Sequence, residues 1–269
     1  MAFIKYLIFG AVAAGLIATY LLRGFPDNRL HIYFLDVGQG DSILIQSPDK
    51  RYILVDAGPS SSAQKLISNI TGNFRRRIDL VIVTHPHNDH YAGLIDIVGK
   101  YEIGTIILPV IAGNEPLYNS FLNEIQKRKI KTVFAPSKTD INFGAGVYLD
   151  IIDIPAPITK NANEASALIR ILYGRLSIFL TGDAPTEEEF AALATNQDLR
   201  ADILKVGHHG SKYSTTEEFL SAVQPAIAVI QSGIKNRFGH PHPETLSRLQ
   251  KFNAQIFRND EKSTIEFVF

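Results

Sequence analysis

The sequence predicts an α/β protein in which two packed sheets carry helices on their outer faces. Three observations lead there. Short runs rich in branched and aromatic residues recur from residue 31 onward, among them "HIYFLDV", "IDLVIVTH" and "LSIFLTGD". Stretches of helical periodicity lie between many of them, such as "SAQKLISNI" and "EPLYNSFLNEIQKRK". No repeat and no low-complexity linker divides the chain, and its strand-rich halves are punctuated by helices at intervals.

Taken in order, "HIYFLDV" and "DSILIQS" flank "GQG", where Gly38 and Gly40 suit a tight hairpin, and "RYILVDAG" follows the turn signal "PDK". "SAQKLISNI" reads as a helix, "IDLVIVTH" as a strand buried on both faces, "AGLIDIVGKY" as a helix and "GTIILP" as a strand. From about Lys131 to Leu180 strands dominate: "KTVFAP", "VYLDIIDI", "SALIRILY" and "LSIFLTGD". Alternation then resumes with "TEEEFAALA", "ADILKV", "TEEFLSAV", "AIAVIQS", "PETLSRLQ", "AQIFRN" and "STIEFVF".

Ahead of these lies a different object. Tyr6 to Leu22 carries no charge and sits between Lys5 and Arg23. A bilayer span takes roughly 17–25 residues, and the run continues past any small-residue cleavage site through Tyr20, Leu21 and Leu22. Residues 1–29 are therefore expected to be a membrane anchor (or a signal segment) and linker, and 30–269 a single domain. The flanking charges do not favour an inside N-terminus, and the short N-terminal tail predicts an extracytoplasmic domain.

The 269 residues are 45% hydrophobic and carry no net formal charge. That balance gives no basic signature for bulk nucleic-acid binding, although a metal centre can supply positive charge locally. The arginines at 75–77 and the run Lys127 to Lys131 could contact a polyanion but read more simply as solvated helix ends and loops. Cysteine is absent, which excludes disulfides, thiolate metal sites and a cysteine nucleophile. Any tight metal site must use His, Asp or Glu.

Such a site is signalled by "THPHNDHYAG". It places three histidines and an aspartate between His85 and His90, straight after an apolar strand. Pro86 biases His85 toward an extended backbone, in which residues two apart face the same way. His85 and His87 can then grip one ion, while Asp89 and His90, at the start of a helix, grip a second. Gly93 leaves room for close approach. A polar loop that happens to contain one histidine is the plainer reading elsewhere; His-x-His-x-Asp-His behind a buried strand goes against it.

Here the sequence resembles the metallo-β-lactamase superfamily, and within it the lactamase-like domain of ComEC competence proteins and their stand-alone relatives. The resemblance rests on "FLDVGQGDSILI", "ILVDAG", "THPHNDHYAG", "NEAS", "FLTGD", "ILKVGHHGS" and "FGHPHPETL", in that order, over essentially His31 to Phe269. It implies a four-layer αββα sandwich. It also implies that Asp183 is a carboxylate bridging two ions, and that "GHHGS" supplies the last imidazole from His208, with His209 in reserve and Ser211 nearby. Asp56 is expected to orient a ligand imidazole. Asp36 and Asp41, which could equally be turn polar groups, are expected near the centre. No histidine lies between His90 and His208, where zinc hydrolases of the superfamily place a third ligand for the first ion. Asn163 and Ser166 of "NEAS" stand there instead, which shifts the expectation from zinc alone toward oxygen-tolerant metals such as manganese. His87 occupies a position where flavodiiron relatives need a carboxylate, so oxygen reduction is not expected. In "FGHPHPE", His240 is read as contacting a bound phosphate or a leaving oxygen. His242 is either a second such group or part of a rigid turn, with Pro243 opening a helix.

The resulting expectation is a hydrolase with two divalent ions, Mn or Zn, which acidify a water and stabilise charge on the reacting oxygens. The resemblance makes a phosphodiester the substrate class, with DNA first and an exported small-ester hydrolase as the alternative. A metal-binding scaffold without turnover is the alternative from another class. No obligate protein partner is inferred. With one candidate span the chain is expected to be at most the nuclease part of a DNA-uptake system.

Overall fold

The computed structural model describes residues 5–6, 8–12, 15, 27–72, 76–109, 115–134, 139–152, 166–195 and 197–269. The first sheet is built from β1 (His31–Phe34), β2 (Ile43–Gln46), β3 (Tyr52–Val55), β4 (Arg77–Ile82), β5 (Glu102–Leu108), β6 (Lys131–Phe134) and the last strand, β14 (Ile265–Val268), in the order β14-β1-β2-β3-β4-β5-β6. The second contains β7 (Thr139–Gly144), β8 (Val147–Ile151), β9 (Ile169–Tyr173), β10 (Leu176–Leu180), β11 (Ile203–Lys205), β12 (Ile227–Ile230) and β13 (Gln255–Arg258), in the order β13-β12-β11-β10-β9-β8-β7.

Each sheet is antiparallel at one side and parallel at the other. β3 to β6 run parallel, as do β10 to β13. Parallel strands need crossover helices, and these are α1 (Ser62–Thr71), α2 (Asn88–Tyr91), α3 (Leu94–Lys100) and α4 (Pro116–Lys127) on the first sheet. The second sheet has α5 (Thr186–Ala194), α6 (Glu217–Val223) and α7 (Pro243–Lys251); a short α8 (Asn259–Lys262) precedes β14. Three apolar layers result. Ile32, Phe34, Ile45, Ile53, Ile171 and Ile178 fill the space between the sheets. Leu54, Val81, Tyr91, Ile97 and Phe121 pack the first sheet's outer face, and Phe179, Leu204, Phe219 and Leu249 pack the second's. This is the four-layer αββα sandwich the sequence predicts.

Some local expectations change. β7 and α8 were not legible as elements. β7 has the mixed sequence "TDINFG" and pairs with β8 through a bulge at Asn142/Gly144. The β1–β2 connection is not a tight two-residue hairpin: the chain loops from Leu35 to Ser42, whose backbone groups hydrogen-bond at 2.9 Å. Gly40 is required there because a Cβ would lie 2.3 Å from the Asp89 carbonyl oxygen. His31, at the start of β1, bonds Asp27 at 2.6 Å and Glu266 at 2.8 Å.

The membrane anchor is corrected. Among the described residues no helix is long and apolar enough to cross a membrane. Within Tyr6 to Leu22 only residues 6, 8–12 and 15 are described, as helix, and the rest of the run lies outside the described residues. The anchored, extracytoplasmic assignment is therefore withdrawn.

A buried carboxylate locks α5 to α6. Glu189 accepts hydrogen bonds from the Thr215 N–H and, at 2.9 Å, from the Thr216 N–H and hydroxyl. Thr216 in turn caps α6, accepting from the Phe219 N–H. Burial pushes Glu189 up to about 7, against these donors and the nearby Arg248. Its folded value lies above its unfolded one, so the associated stability is complete below the unfolded value near 4.5 and is lost as pH rises through 7. At fixed ion content, the unfolding free energy of wild type should fall relative to that of Glu189→Gln between pH 5 and pH 8, by on the order of 3 kcal/mol. Urea titrations giving parallel pH profiles for the two proteins would refute this.

Candidate metal centre

The carboxyl ends of β3, β4, β10, β11 and β12 meet at one edge of the sandwich, the general location of sites in α/β sheets. The segment after β4 brings His85, His87, Asp89 and His90. The turn after β10 brings Asp183, and the one after β11 brings His208 and His209. His85, His90, Asp183 and His209 are buried.

Asp183 is the centre of this arrangement. Its Oδ2 lies 3.3 Å from His90 Nε2, 3.6 Å from His209 Nε2 and 3.8 Å from both His85 Nε2 and His208 Nε2. Asp89 Oδ2 lies 3.4 Å from His209 Nε2. One donor atom from each of Asp89, His90, Asp183 and His209 falls within 4.8 Å of all the others. His87 stands beside His85, with ring centroids 4.9 Å apart and the rings edge to face, although β4 ends at Ile82 and the chain bends at residues 85 and 86.

The imidazoles are oriented from behind. His209 Nδ1 lies 2.9 Å from the Gln231 carbonyl oxygen, which can only accept, so Nδ1 carries a hydrogen and Nε2 points its lone pair inward. His90 Nδ1 makes the equivalent bond to Asp56 Oδ2 at 2.8 Å. Asp56 also accepts the Thr84 N–H at 2.9 Å and the Thr84 hydroxyl at 2.7 Å. That hydroxyl's hydrogen is thereby used, so Thr84 Oγ1 accepts from His85 Nδ1 at 3.1 Å. Asp56 thus aims two histidines, one directly and one through Thr84.

The residues fit divalent ions. The Nε2 atoms of His85, His90 and His209 and the Oδ1 of Asp183 are buried with no hydrogen-bond partner. Two ligand atoms each roughly 2.1 Å from a tetrahedral ion lie about 3.4 Å apart, the separation found around Asp183. Charge points the same way. Asp41, Asp56 and Asp183 are buried with Lys205, and Asp89 is largely so. Without an ion, the carboxylates compensate by protonating histidines. Burial opposes a charge on His90, but Asp183 and Asp56 hold it well above the ordinary histidine value. His209 is likewise raised to about 9, with burial outweighed by Asp183 and Asp41. Ion binding would release those protons.

The adjacent residues His208 and His209 lie at different depths in the turn after β11. The resemblance placed the ligand on His208 with His209 in reserve, but it is the His209 side chain that is 2% exposed, against 31% for His208. Both residues are left-handed (φ 46° and 55°), a strained conformation for side chains larger than glycine. It sends consecutive rings to different depths. Gly210 follows at φ 85°, where a Cβ would meet Pro241 Cβ at 2.6 Å.

The remaining expected residues divide. Asp41 is buried in the centre, pairing with Lys205 and lying 3.3 Å from His209 Nδ1. Ser166 Oγ accepts the Asp183 N–H at 3.2 Å. Asn163 lies outside the described residues. Asp36 is away from the cluster, accepting the Gly38 N–H within its own loop. Ser211 braces the histidine turn: its carbonyl accepts the Thr245 hydroxyl at 2.8 Å. The His240 ring lies edge to face with His208 at 5.7 Å and tilted against His209 at 6.3 Å, and burial with the neighbouring imidazoles lowers it to about 4. His242 accepts the Lys212 N–H at 3.1 Å just ahead of α7, which Pro243 opens. Thr84, Lys205 and Gln231 belong to the centre without having been singled out. The available signal for Lys205 was a lone ammonium in the apolar strand "ILKV".

Two seven-stranded sheets with this carboxylate–imidazole cluster at their shared edge define a metallo-hydrolase scaffold. Residues 35–233 match the profile of the Metallo-beta-lactamase superfamily, and the chain belongs to that superfamily, which consists mostly of metal-dependent hydrolases. It is 28% identical to ComE operon protein 3 of Bacillus subtilis (strain 168) over 95% of this chain and 36% of that protein. It is also 28% identical to Competence protein ComA of Neisseria gonorrhoeae, over 93% of this chain and 35% of that protein. The chain spans about a third of the length of these relatives. Among solved structures, the metallo-beta-lactamase fold protein YhfI from Bacillus subtilis has a TM-score of 0.60 at 15% identity, over 90% of this chain and 100% of that one, which shows the shared fold. The resemblance stated from the motifs is borne out.

Proposed function

We propose that the chain is a metal-dependent phosphodiesterase whose substrate is DNA, with two divalent ions as cofactors. The observation that carries the metal-dependent part is the convergence of unpartnered, buried Nε2 atoms on Asp183. The phosphodiester part rests on likeness to a competence protein over 93% of the chain.

One ion would be held by Asp89, His90, Asp183 and His209. The other would be held by His85, His87 and Asp183, with oxygen donors completing it. That second set lacks a third imidazole and should accept manganese as well as zinc. Bound ions would supply a more acidic water and charge stabilisation for the attacking and leaving oxygens. The protein's own groups do the positioning. Asp56, Thr84 and Gln231 hold the Nδ1 side of three histidines, so the Nε2 atoms are the ones left to face the ions once their protons are released. The Asp183 N–H, held by Ser166, sets the carboxylate's direction. His240 stands at the open side and offers its imidazole to a phosphoryl oxygen.

The test separates His209 from His208. Purified His209→Ala should lose about one ion per chain and lose cleavage of plasmid and single-stranded DNA in manganese and in zinc. His208→Ala should retain more metal and more rate. Equal metal loss in both variants would overturn the ligand assignment. Cleavage of no phosphodiester by wild type in any divalent metal would move the small-ester and non-catalytic readings ahead.

A further inference from the structure

Two loops on the His240 side of the centre hold their large side chains outward. Tyr213 is 67% exposed, Ile234 70% and Phe238 48%. Isolated exposed apolar residues are ordinary on any protein surface. These differ in company and in placement. Lys212 Nζ sits 5.1 Å from the centroid of the Tyr213 ring, and the Arg237 guanidinium 4.8 Å from that of Phe238. Among the described residues no carboxylate forms an ion pair with Lys212, Lys235 or Arg237. The segments 207–216 and 231–243 contain no acidic residue at all, in a chain whose formal charges cancel. The nearest acids in sequence are Glu217, which pairs with Lys251, and Glu244 in the first turn of α7. Glu187 is nearby too, because the neighbouring Thr186 N–H donates to the Tyr213 carbonyl.

The two loops are continuous with each other and with the centre. Lys212 is tied to His242 by its backbone N–H. The His242 ring lies 4.8 Å from His240, and His240 stacks on Phe238 at 5.7 Å with 21° between the planes. His240 leads on to His209 at 6.3 Å. A ladder of rings therefore runs from the metal ligands to the outer surface, edged by cations.

We propose that this rim binds a single-stranded polynucleotide, with Tyr213 and Phe238 taking base faces and Lys212, Lys235 and Arg237 taking backbone phosphates. The proposal rests on the phosphodiesterase reading and narrows its substrate. A small diester reaching the ions has nothing to place against rings that face outward. A duplex keeps its base faces stacked internally. An unpaired strand presents both bases and phosphates, and aromatic–base stacking with local cations suits it.

The experiment uses the full chain with manganese. The KM for oligothymidylate is compared with that for bis(4-nitrophenyl) phosphate, a small diester. Tyr213→Ala should raise the oligothymidylate KM relative to the small diester by roughly tenfold, and Tyr213→Phe should restore it. Lys212→Ala with Arg237→Ala should flatten the salt dependence of oligothymidylate binding. Equal KM changes for both substrates would overturn the proposal, as would a matched duplex bound as tightly as the single strand by wild type. So would wild type that cleaves the small diester but does not bind oligothymidylate, the result expected if the rim serves a protein or a membrane surface. Wild type that cleaves neither substrate but binds oligothymidylate through Tyr213 would instead overturn the phosphodiesterase reading and leave the rim standing.

Discussion

Replacing Asp183 with alanine is expected to lower phosphodiester hydrolysis by roughly 10³-fold or more, a loss of several kcal/mol of transition-state stabilisation. Among the described residues no other carboxylate stands at the focus of so many imidazoles. Its Oδ2 is within 3.8 Å of four imidazole nitrogens. Replacing Asp89 or His209 removes a group from one ion's set; replacing Asp183 removes the group proposed to be common to both. The charge balance changes as well, because Asp183 is the leading carboxylate that favours the positive forms of His90 and His209. Asp183→Asn keeps the shape and the backbone N–H held by Ser166 while removing the charge, so it separates lost chemistry from lost folding. Metal content and circular dichroism should be measured beside the rates. A folded Asp183→Ala protein with near-wild-type hydrolysis would end the two-ion reading.

The second large effect concerns stability. Lys205 is fully buried, pairs with Asp41, donates to the Gly182 carbonyl at 2.9 Å and lies 4.0 Å from Asp183 Oδ1. Lys205→Met should destabilise the fold by roughly 3–5 kcal/mol, because it takes from the buried Asp41 its ammonium partner. Adding Asp41→Asn to Lys205→Met should recover a substantial part of that loss. The recovery matters more than the first number, since it shows that the stranded carboxylate, rather than lost packing, causes the damage. Urea denaturation of the two single variants, the double variant and wild type completes the cycle. A Lys205→Met protein within 1 kcal/mol of wild type would show that the pair is replaceable by apolar volume.

The residues of the centre were legible to different depths for physical reasons. The loop from His85 to His90 is local, so spacing and the preceding apolar strand revealed it. Asp183 needed the resemblance, because a strand-end aspartate alone looks like any turn cap. His208 and His209 are neighbours of the same type, and nothing in composition chooses between them. The structure sets them at different depths, in a turn where both adopt left-handed φ angles. Lys205 was hidden because its partner, Asp41, comes from the other sheet, and no periodicity links them. The αββα layering was legible because nearly every strand is a compact apolar run. β7 escaped because "TDINFG" has few apolar residues to mark it. The anchor was read from hydrophobicity and length alone, and among the described residues no helix meets that standard.

The cluster lies across the seam between the sheets: Asp89 and His90 follow β4 of the first, while Asp183 and His209 follow β10 and β11 of the second. Ions held there would fasten one sheet to the other as a non-covalent cross-link. Gln231, at the end of β12, reinforces the seam by donating to the Leu35 and Ser42 carbonyls of the first sheet's loop, each at 3.0 Å. Neither sheet could then peel away without dismantling the centre, so metal loading sets the cooperativity of unfolding. Loaded protein should melt in one step, and chelation should let the two sheets come apart as separate transitions.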